Sequence, residues 1–444
     1  MSEHGKPDTF EVRDRPFHDA LKSWAMATFS MLATVGEQVT YTEAPSIQMS
    51  ADSPDYWDSV IERTPNFYWT FRRHGAALRG LPEHSSVVSA IRGNPEISDH
   101  FPTVVGPANS VDIFLKNLLN KLWEVSPSFV FDQQKFDKLY ASLEDFLHSR
   151  TVEIRVIAPL ENLSSSVPRI RLSPELVVRS LSDAEVQRLY RDNVAFRSQY
   201  PIAERRWLPS FAVELQQTHP KPPGDQEFPG EIVQQWLNAV QVVCSVLRLF
   251  KPGAIRCSVV EFWQGREEFL GTPFTYAVPG PPVYGRAYEI SDADAAGLPE
   301  LLEQFGQVAW DRNQALQLAL SRFNLAGERQ RAEDRVLDLM ICMEALFLPD
   351  GNEELTFRLA LRAARFLEAG DRGKRIELFS NLREAYRVRS AIVHGSVASR
   401  KQKISTEQAS EFLEETARAA LRKAISLCAG KGTFSVDWAG LVLE

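Results

Sequence analysis

The sequence predicts a multidomain chain, an N-terminal α+β region followed by an all-α antiparallel helical bundle. Three observations carry this reading. At 444 residues the chain is too long for one ordinary core, so two or three domains are expected. The run Val152-Glu153-Ile154-Arg155-Val156 alternates as a half-buried strand does, and further strand-like pieces follow it. From about Glu303 onward, apolar residues recur only at helical spacing.

Residues 1–150 read as a helix-containing, aromatic-rich region. Tyr56, Trp57, Phe67, Tyr68, Trp69 and Phe71 form a dense cluster that is expected to be core rather than a base-stacking platform. Val111 to Val125 and Phe136 to His148 carry the helical period. Residues 151–302 read as an α+β domain of unknown role. Its strand pieces are Ile170-Arg171-Leu172, Val177-Val178, Phe211 to Leu215 and Ala254 to Trp263. Ser182-Asp183-Ala184-Glu185 is a capping box opening a helix through Tyr190. Ile232 to Phe250 is a second helix, and His219 to Pro229 and Pro279 to Pro282 are loops.

Residues 303–430 form the predicted bundle, and 431–444 a C-terminal tail. One helix is expected over 305–324. Val336, Leu339, Met340, Met343, Leu346 and Phe347 make an i, i+3, i+4, i+7 stripe in the next, stopped by Pro349 and Gly351. A third runs from about Glu354 to Ala369, and a fourth from about Arg375 to His394 with Gly395 as a left-handed cap. Ser405 with Gln408 is a capping box for a fifth, to about Cys428.

Composition narrows the function classes. A hydrophobic fraction of 44% with 24% charged residues is that of a soluble globular protein. Ala20 to Val35 is too short and too polar for a membrane span, so an amphipathic helix, a cytoplasmic location and no membrane partner are expected. Cys244, Cys257, Cys342 and Cys428 stand singly on apolar segments, which predicts buried thiols rather than a disulfide framework or zinc site. The net charge of −8 argues against a generally basic nucleic-acid coat. Within it, Arg358 to Lys403 holds twelve basic residues against four acidic ones, an island suited to a focused polyanion site. There is no GxxxxGK[ST], GxSxG, HExxH or GxGxxG, and no cofactor or metal is implied. Glu333, Asp334 and Asp338 are expected to make helix-surface salt bridges.

The stretch that carries chemistry is Tyr386-Arg387-Val388-Arg389-Ser390-Ala391-Ile392-Val393-His394-Gly395. Arginine offers a planar, permanently charged fork for phosphate oxygens, and histidine takes and gives protons near neutrality. The Arg-x-x-x-x-His spacing occurs three times, at Arg13 to His18, Arg79 to His84 and Arg389 to His394. Pro16 and Pro82 keep the first two out of a regular helix interior, so only the third sits on a proline-free amphipathic segment.

An ordered set of motifs adds to this. Glu333-Asp334-Arg335-Val336-Leu337-Asp338, Met343-Glu344-Ala345-Leu346, Glu354-Leu355-Thr356-Phe357-Arg358-Leu359-Ala360-Leu361-Arg362-Ala363-Ala364 and Tyr386 to Gly395 together resemble the Apea-like branch of the HEPN superfamily. The resemblance covers roughly residues 305–430. It implies a metal-independent endoribonuclease, often a toxin or anti-phage effector, that works as a homodimer with two motifs facing one cleft. Carried across, the motif places catalysis on Arg389, Ser390 and His394. RNA, including tRNA, is the implied partner, and Arg383, Arg387, Lys401 and Lys403 are the expected contacts to flanking phosphates. Residues 1–302 would then sense a trigger or restrain the nuclease.

At about 100° per residue, Leu382, Ala385, Tyr386, Arg389, Ile392 and Val393 fall on one stripe, and Arg383, Arg387, Ser390 and His394 on an adjoining polar face. An unpaired charge at Arg389 would be costly there, so it is expected to pair with an acid such as Glu344, supported by Tyr386, or to enter a dimer seam. The wheel favours Arg387 as the arginine beside His394, whereas the resemblance favours Arg389. Two non-enzymatic readings compete: an RNA- or nucleotide-binding module, and a structural dimerisation bundle.

Overall fold

The computed structural model describes residues 12–50, 57–101, 110–125, 127–199, 208–221, 230–263, 274–278, 286–349, 354–395, 403–429 and 432–443. Tyr56, Gly351, most of the 219–229 loop and the 279–282 loop lie outside the described residues. An N-terminal α+β region precedes a helical C-terminal region.

The N-terminal part is built from α1 (Arg15–Thr34), β1 (Tyr41–Met49), β2 (Trp57–Pro65), α2 (Phe67–Gly80), α3 (Pro82–Gly93), α4 (Pro95–Ser98), α5 (Ser110–Val125) and α6 (Gln133–His148). Asp14 caps α1, with Pro16 in its first turn, where proline is tolerated. The apolar face of α1 buries Phe17, Leu21, Trp24, Phe29 and Leu32 in a core shared with Phe114, Leu118, Trp123 and Tyr140. Among the described residues, no helix is long and apolar enough to cross a membrane.

The antiparallel pair β1–β2 was not legible in the sequence, because β1 contains Pro45 and alternates weakly. Its Ile47 and Trp57 are held from outside by Leu189 and Tyr190. The aromatic cluster divides. Trp57 and Phe67 are buried, whereas Tyr68 and Trp69 are exposed, edge to face at 5.1 Å, because only one side of α2 meets α5.

The central part comprises β3 (Thr151–Glu161), β4 (Leu163–Ser165), β5 (Arg169–Arg171), β6 (Leu176–Ser180), α7 (Asp183–Asp192), α8 (Val194–Gln199), β7 (Phe211–Pro220), α9 (Gly230–Phe250), β8 (Arg256–Cys257), β9 (Val259–Trp263), β10 (Phe274–Ala277), β11 (Tyr288–Ile290) and α10 (Asp292–Gly306). The main sheet has the order β10-β9-β3-β7-β6-β5, with β8 also on β3; its ladders are antiparallel. Strand alternation sends Val156, Ala158, Val213 and Leu215 into an apolar core with Trp236, Val240 and Leu247 of α9. The opposite face is ionic. Glu214 receives Arg155 and Arg179, Arg179 also grips Glu185 of α7, and Arg188 of α7 holds Glu261 at 2.9 Å and 3.1 Å.

The C-terminal region continues with α11 (Gln314–Ala326), α12 (Ala332–Phe347), α13 (Leu355–Leu367), α14 (Arg372–Val393), α15 (Thr406–Cys428) and α16 (Trp438–Leu443). The single helix expected over 305–324 is broken into the end of α10, a 3-10 turn at Trp310–Arg312, and α11. Asn313 causes the break. Its Nδ2 donates to the carbonyls of Ala309 and Gly432 at 2.7 and 2.8 Å, and its Oδ1 accepts from the Phe434 N–H at 2.7 Å.

Those bonds also recruit the expected tail into the fold. Trp438 of α16 is buried against Phe347 and Phe366, with ring centroids 5.5 and 6.0 Å apart. Nor does the expected border at 302/303 separate two interiors. One apolar cluster runs from Val152 to Trp438, because α9 packs on the sheet, α10, α11 and α15 alike. The four cysteines are buried and unpaired to one another.

Candidate functional site

Helix α14 carries Arg383, Tyr386, Arg387, Arg389 and Ser390, with His394 at its end. Asp371 starts it, its carboxylate accepting the Lys374 N–H at 3.1 Å. Leu382, Ala385 and Val388 are fully enclosed by neighbouring helices and hold it in place. His394 is its cap, with backbone N–H to the Ser390 carbonyl at 3.1 Å. Gly395 follows at φ +59°, a left-handed conformation that favours glycine.

The buried line of α14 thus differs slightly from the wheel stripe. Val388 is enclosed, Tyr386, Arg389 and Ile392 are half-buried, and Val393 is exposed. Arg383, Arg387 and His394 are exposed and Ser390 half-buried, all on the polar face. Arg387 pairs with Glu384 one turn back, and the Arg383 guanidinium lies 5.5 Å from the Phe379 ring centroid. Lys403 is exposed just before the capping box of α15; Lys401 lies outside the described residues.

Arg389 sits elsewhere. Its Nη2 lies 3.8 Å from Glu344 Oε1 on α12, and its guanidinium is 5.6 Å from the Tyr386 ring centroid. The side chains of Arg389 and Glu344 are only 29% and 25% exposed. Burial and the Glu344 carboxylate push the Tyr386 hydroxyl pKa up, with Arg389 opposing. Five residues separate Arg389 from His394, about 140° around the helix and about 7.5 Å along it. Arg387 is seven residues from His394, two turns away on the same face.

In the other two Arg/His spacings the histidine is buried. His18 lies 2.8 Å from Asp19 and 4.7 Å, edge on, from Tyr140. Arg79 and His84 both reach Asp112, at 3.0 and 3.4 Å, in the N-terminal core. Asp338, expected on a helix surface, is buried, and receives Arg322 at 3.0 Å and Arg329 at 2.9 Å. The pairing of α11 with α12 turns it inward. Among the described residues, no three His, Cys, Asp or Glu side chains converge as metal ligands do.

Sequence reasoning missed a groove of about 290 Å³ between α13 and α14, lined by Phe357, Arg365, Arg372, Arg375, Ile376 and Phe379 among others. The i, i+4, i+7, i+11 spacing of Arg372, Ile376, Phe379 and Arg383 was the available signal. No protein-family model, curated protein or solved structure matches this chain.

Proposed function

We propose that the C-terminal region is a HEPN-type endoribonuclease acting through His394. The observation that carries this reading is an exposed histidine at the end of α14, on the same face as Arg383 and Arg387, in a basic island of an otherwise acidic chain. The enclosed His18 and His84 lack that setting.

In this mechanism the RNA 2′-oxygen attacks the adjacent phosphorus and its proton passes to a neutral imidazole. The P–O5′ bond breaks, and an imidazolium delivers a proton to the leaving 5′-oxygen. The products are a 2′,3′-cyclic phosphate and a 5′-hydroxyl, and the chemistry needs no metal. One His394 serves one of the two proton transfers at a time, so a facing copy in a homodimer suits the step. In this reading Arg387, released from Glu384, stabilises phosphorane charge, and Ser390 lies on the same face between Arg387 and His394. Arg389 reaches a phosphate only by leaving Glu344.

A second reading rests on that last contact. With Arg389 tied to Glu344, the region serves as a non-catalytic RNA-binding module whose arginine locks α14 onto α12.

Incubating end-labelled total RNA and tRNA with the chain and with His394→Ala, in excess EDTA, separates the two. The nuclease reading expects fragments ending in 2′,3′-cyclic phosphate from the unsubstituted chain alone. Equal cleavage by both proteins overturns it, and binding without cleavage favours the second reading.

A further inference from the structure

The groove between α13 and α14 joins two features that seldom share a surface. Phe357 and Ile376 are 48% and 58% exposed, and Phe357 meets Phe379 edge to face at 5.6 Å. Around these apolar groups stand three guanidinium groups. Arg365 and Arg372 have no ion-pair partner among the described residues. Arg375 donates to the backbone carbonyls of Glu368 and Ala369, which are neutral acceptors. The nearby Asp371 carboxylate is occupied in capping α14. An apolar slot with excess positive charge fits a ligand that is aromatic and anionic at once. A nucleotide unit has that chemistry, a base with a flat apolar face joined to a phosphate.

The position of the groove says more. Arg372, Ile376, Phe379, Arg383, Arg387, Ser390 and His394 follow one another at steps of three or four, so they form one continuous stripe along α14. Its drift over the whole helix is only about 40°. Phe379 and His394 are fifteen residues apart, roughly 22 Å along the axis. A single nucleotide cannot touch both ends, whereas a strand laid along the stripe can.

We propose that this groove holds an unpaired base of a single-stranded RNA whose backbone runs along α14 past Arg383 and Arg387 to His394. The base packs against Phe357 and Phe379, and Arg365 and Arg372 take its flanking phosphates. This rests on the RNA-directed reading of α14 and specifies its substrate as single-stranded, since a duplex keeps its bases stacked away from such a slot.

The test is fluorescence anisotropy of labelled single-stranded RNAs of increasing length, in EDTA, with the full chain, Phe357→Ala, Phe357→Tyr and Arg372→Gln. All three side-chain changes fall on exposed positions. The unsubstituted chain should gain affinity in a step once the RNA is long enough to span from the groove to His394. Phe357→Ala should weaken long RNAs about tenfold and abolish the step, while Phe357→Tyr restores it. Arg372→Gln should lower the affinity and flatten its dependence on salt.

Equal affinity of all four proteins, or no RNA binding by any, overturns the proposal. So does a Phe357→Ala effect seen only in sedimentation, which would make the groove a contact between copies of the chain. Cleavage is scored separately on the same RNAs, with His394→Ala beside the four proteins. His394-dependent cleavage with unaltered affinity in Phe357→Ala rejects the groove and leaves the nuclease reading. Loss of affinity in Phe357→Ala without cleavage by any protein supports the groove and favours the non-catalytic RNA-binding reading.

Discussion

Arg389 of α14 faces Glu344 of α12 at 3.8 Å, while His394, five residues further on, stands exposed on another side of the same helix. The two residues that the Arg/His spacing pairs are therefore held apart in a single chain. One belongs to the packing of two helices and the other to solvent.

The Arg389–Glu344 contact should be worth little by itself. Partly exposed pairs at this distance contribute less than about 1 kcal/mol. A double-mutant cycle of Arg389→Ala and Glu344→Ala, read by denaturant unfolding, should return a coupling energy in that range. If RNA cleavage falls far more than this when Arg389 is replaced, the arginine acts on substrate as well as on Glu344.

Asp338 should matter more. It is buried and gathers Arg322 from α11 and Arg329 from the following turn. Asp338→Ala removes the shared acceptor, although both arginines can turn to solvent. A loss of about 1–3 kcal/mol is expected in chemical denaturation. A change below half of that would show that the pairings are dispensable.

Trp438 tests whether the last helix is integral to the fold. Removing a side chain packed against Phe347 and Phe366 should cost about 3–5 kcal/mol, well above the ~0.5 kcal/mol typical of an exposed site. Trp69→Ala, on the exposed side of α2, provides that low reference. Thermal unfolding of the two variants should rank them clearly, and equal midpoints would contradict the packing described.

A pH dependence follows from His100, whose Nε2 bonds the Leu147 carbonyl at 3.1 Å where the N-terminal region meets the end of β7. Burial, and then the Lys221 ammonium, lower its pKa from 6.5 to about 4; His148 adds to this, while the Leu147 bond and Asp99 oppose it. The folded state thus binds the proton more weakly than the unfolded one. Stability linked to this group is complete above pH 6.5 and is lost progressively as pH falls toward 4. Unfolding measured between those limits should show this slope in the unsubstituted chain and a reduced one in His100→Gln.

Much of the candidate site was legible because it is local. The periodicity of α14, the glycine after His394 and the exposed line of Arg383, Arg387 and His394 all depend on neighbours within one or two turns. The same is true of the capping boxes at Ser182 and Ser405, both present in the structure. Helical period and cap chemistry are written at spacings of three and four residues, so the chain carries them without knowing its fold.

What covers each face is decided elsewhere. Asn313 breaks a helix because Gly432 and Phe434 arrive from the far end of the chain. Asp338 is interior because α11 folds onto α12, and Arg389 has a partner because Glu344 lies across from it. The β1–β2 pair depends on side chains of α7, and the groove at Phe357 exists only where α13 and α14 lie side by side. Helix period, cap chemistry and the charged stripe of α14 could be read from residues three and four apart, because each depends only on near neighbours. Which strands pair, where a helix breaks and which side chains meet came from the folded chain, because burial and pairing depend on partners tens to hundreds of residues away.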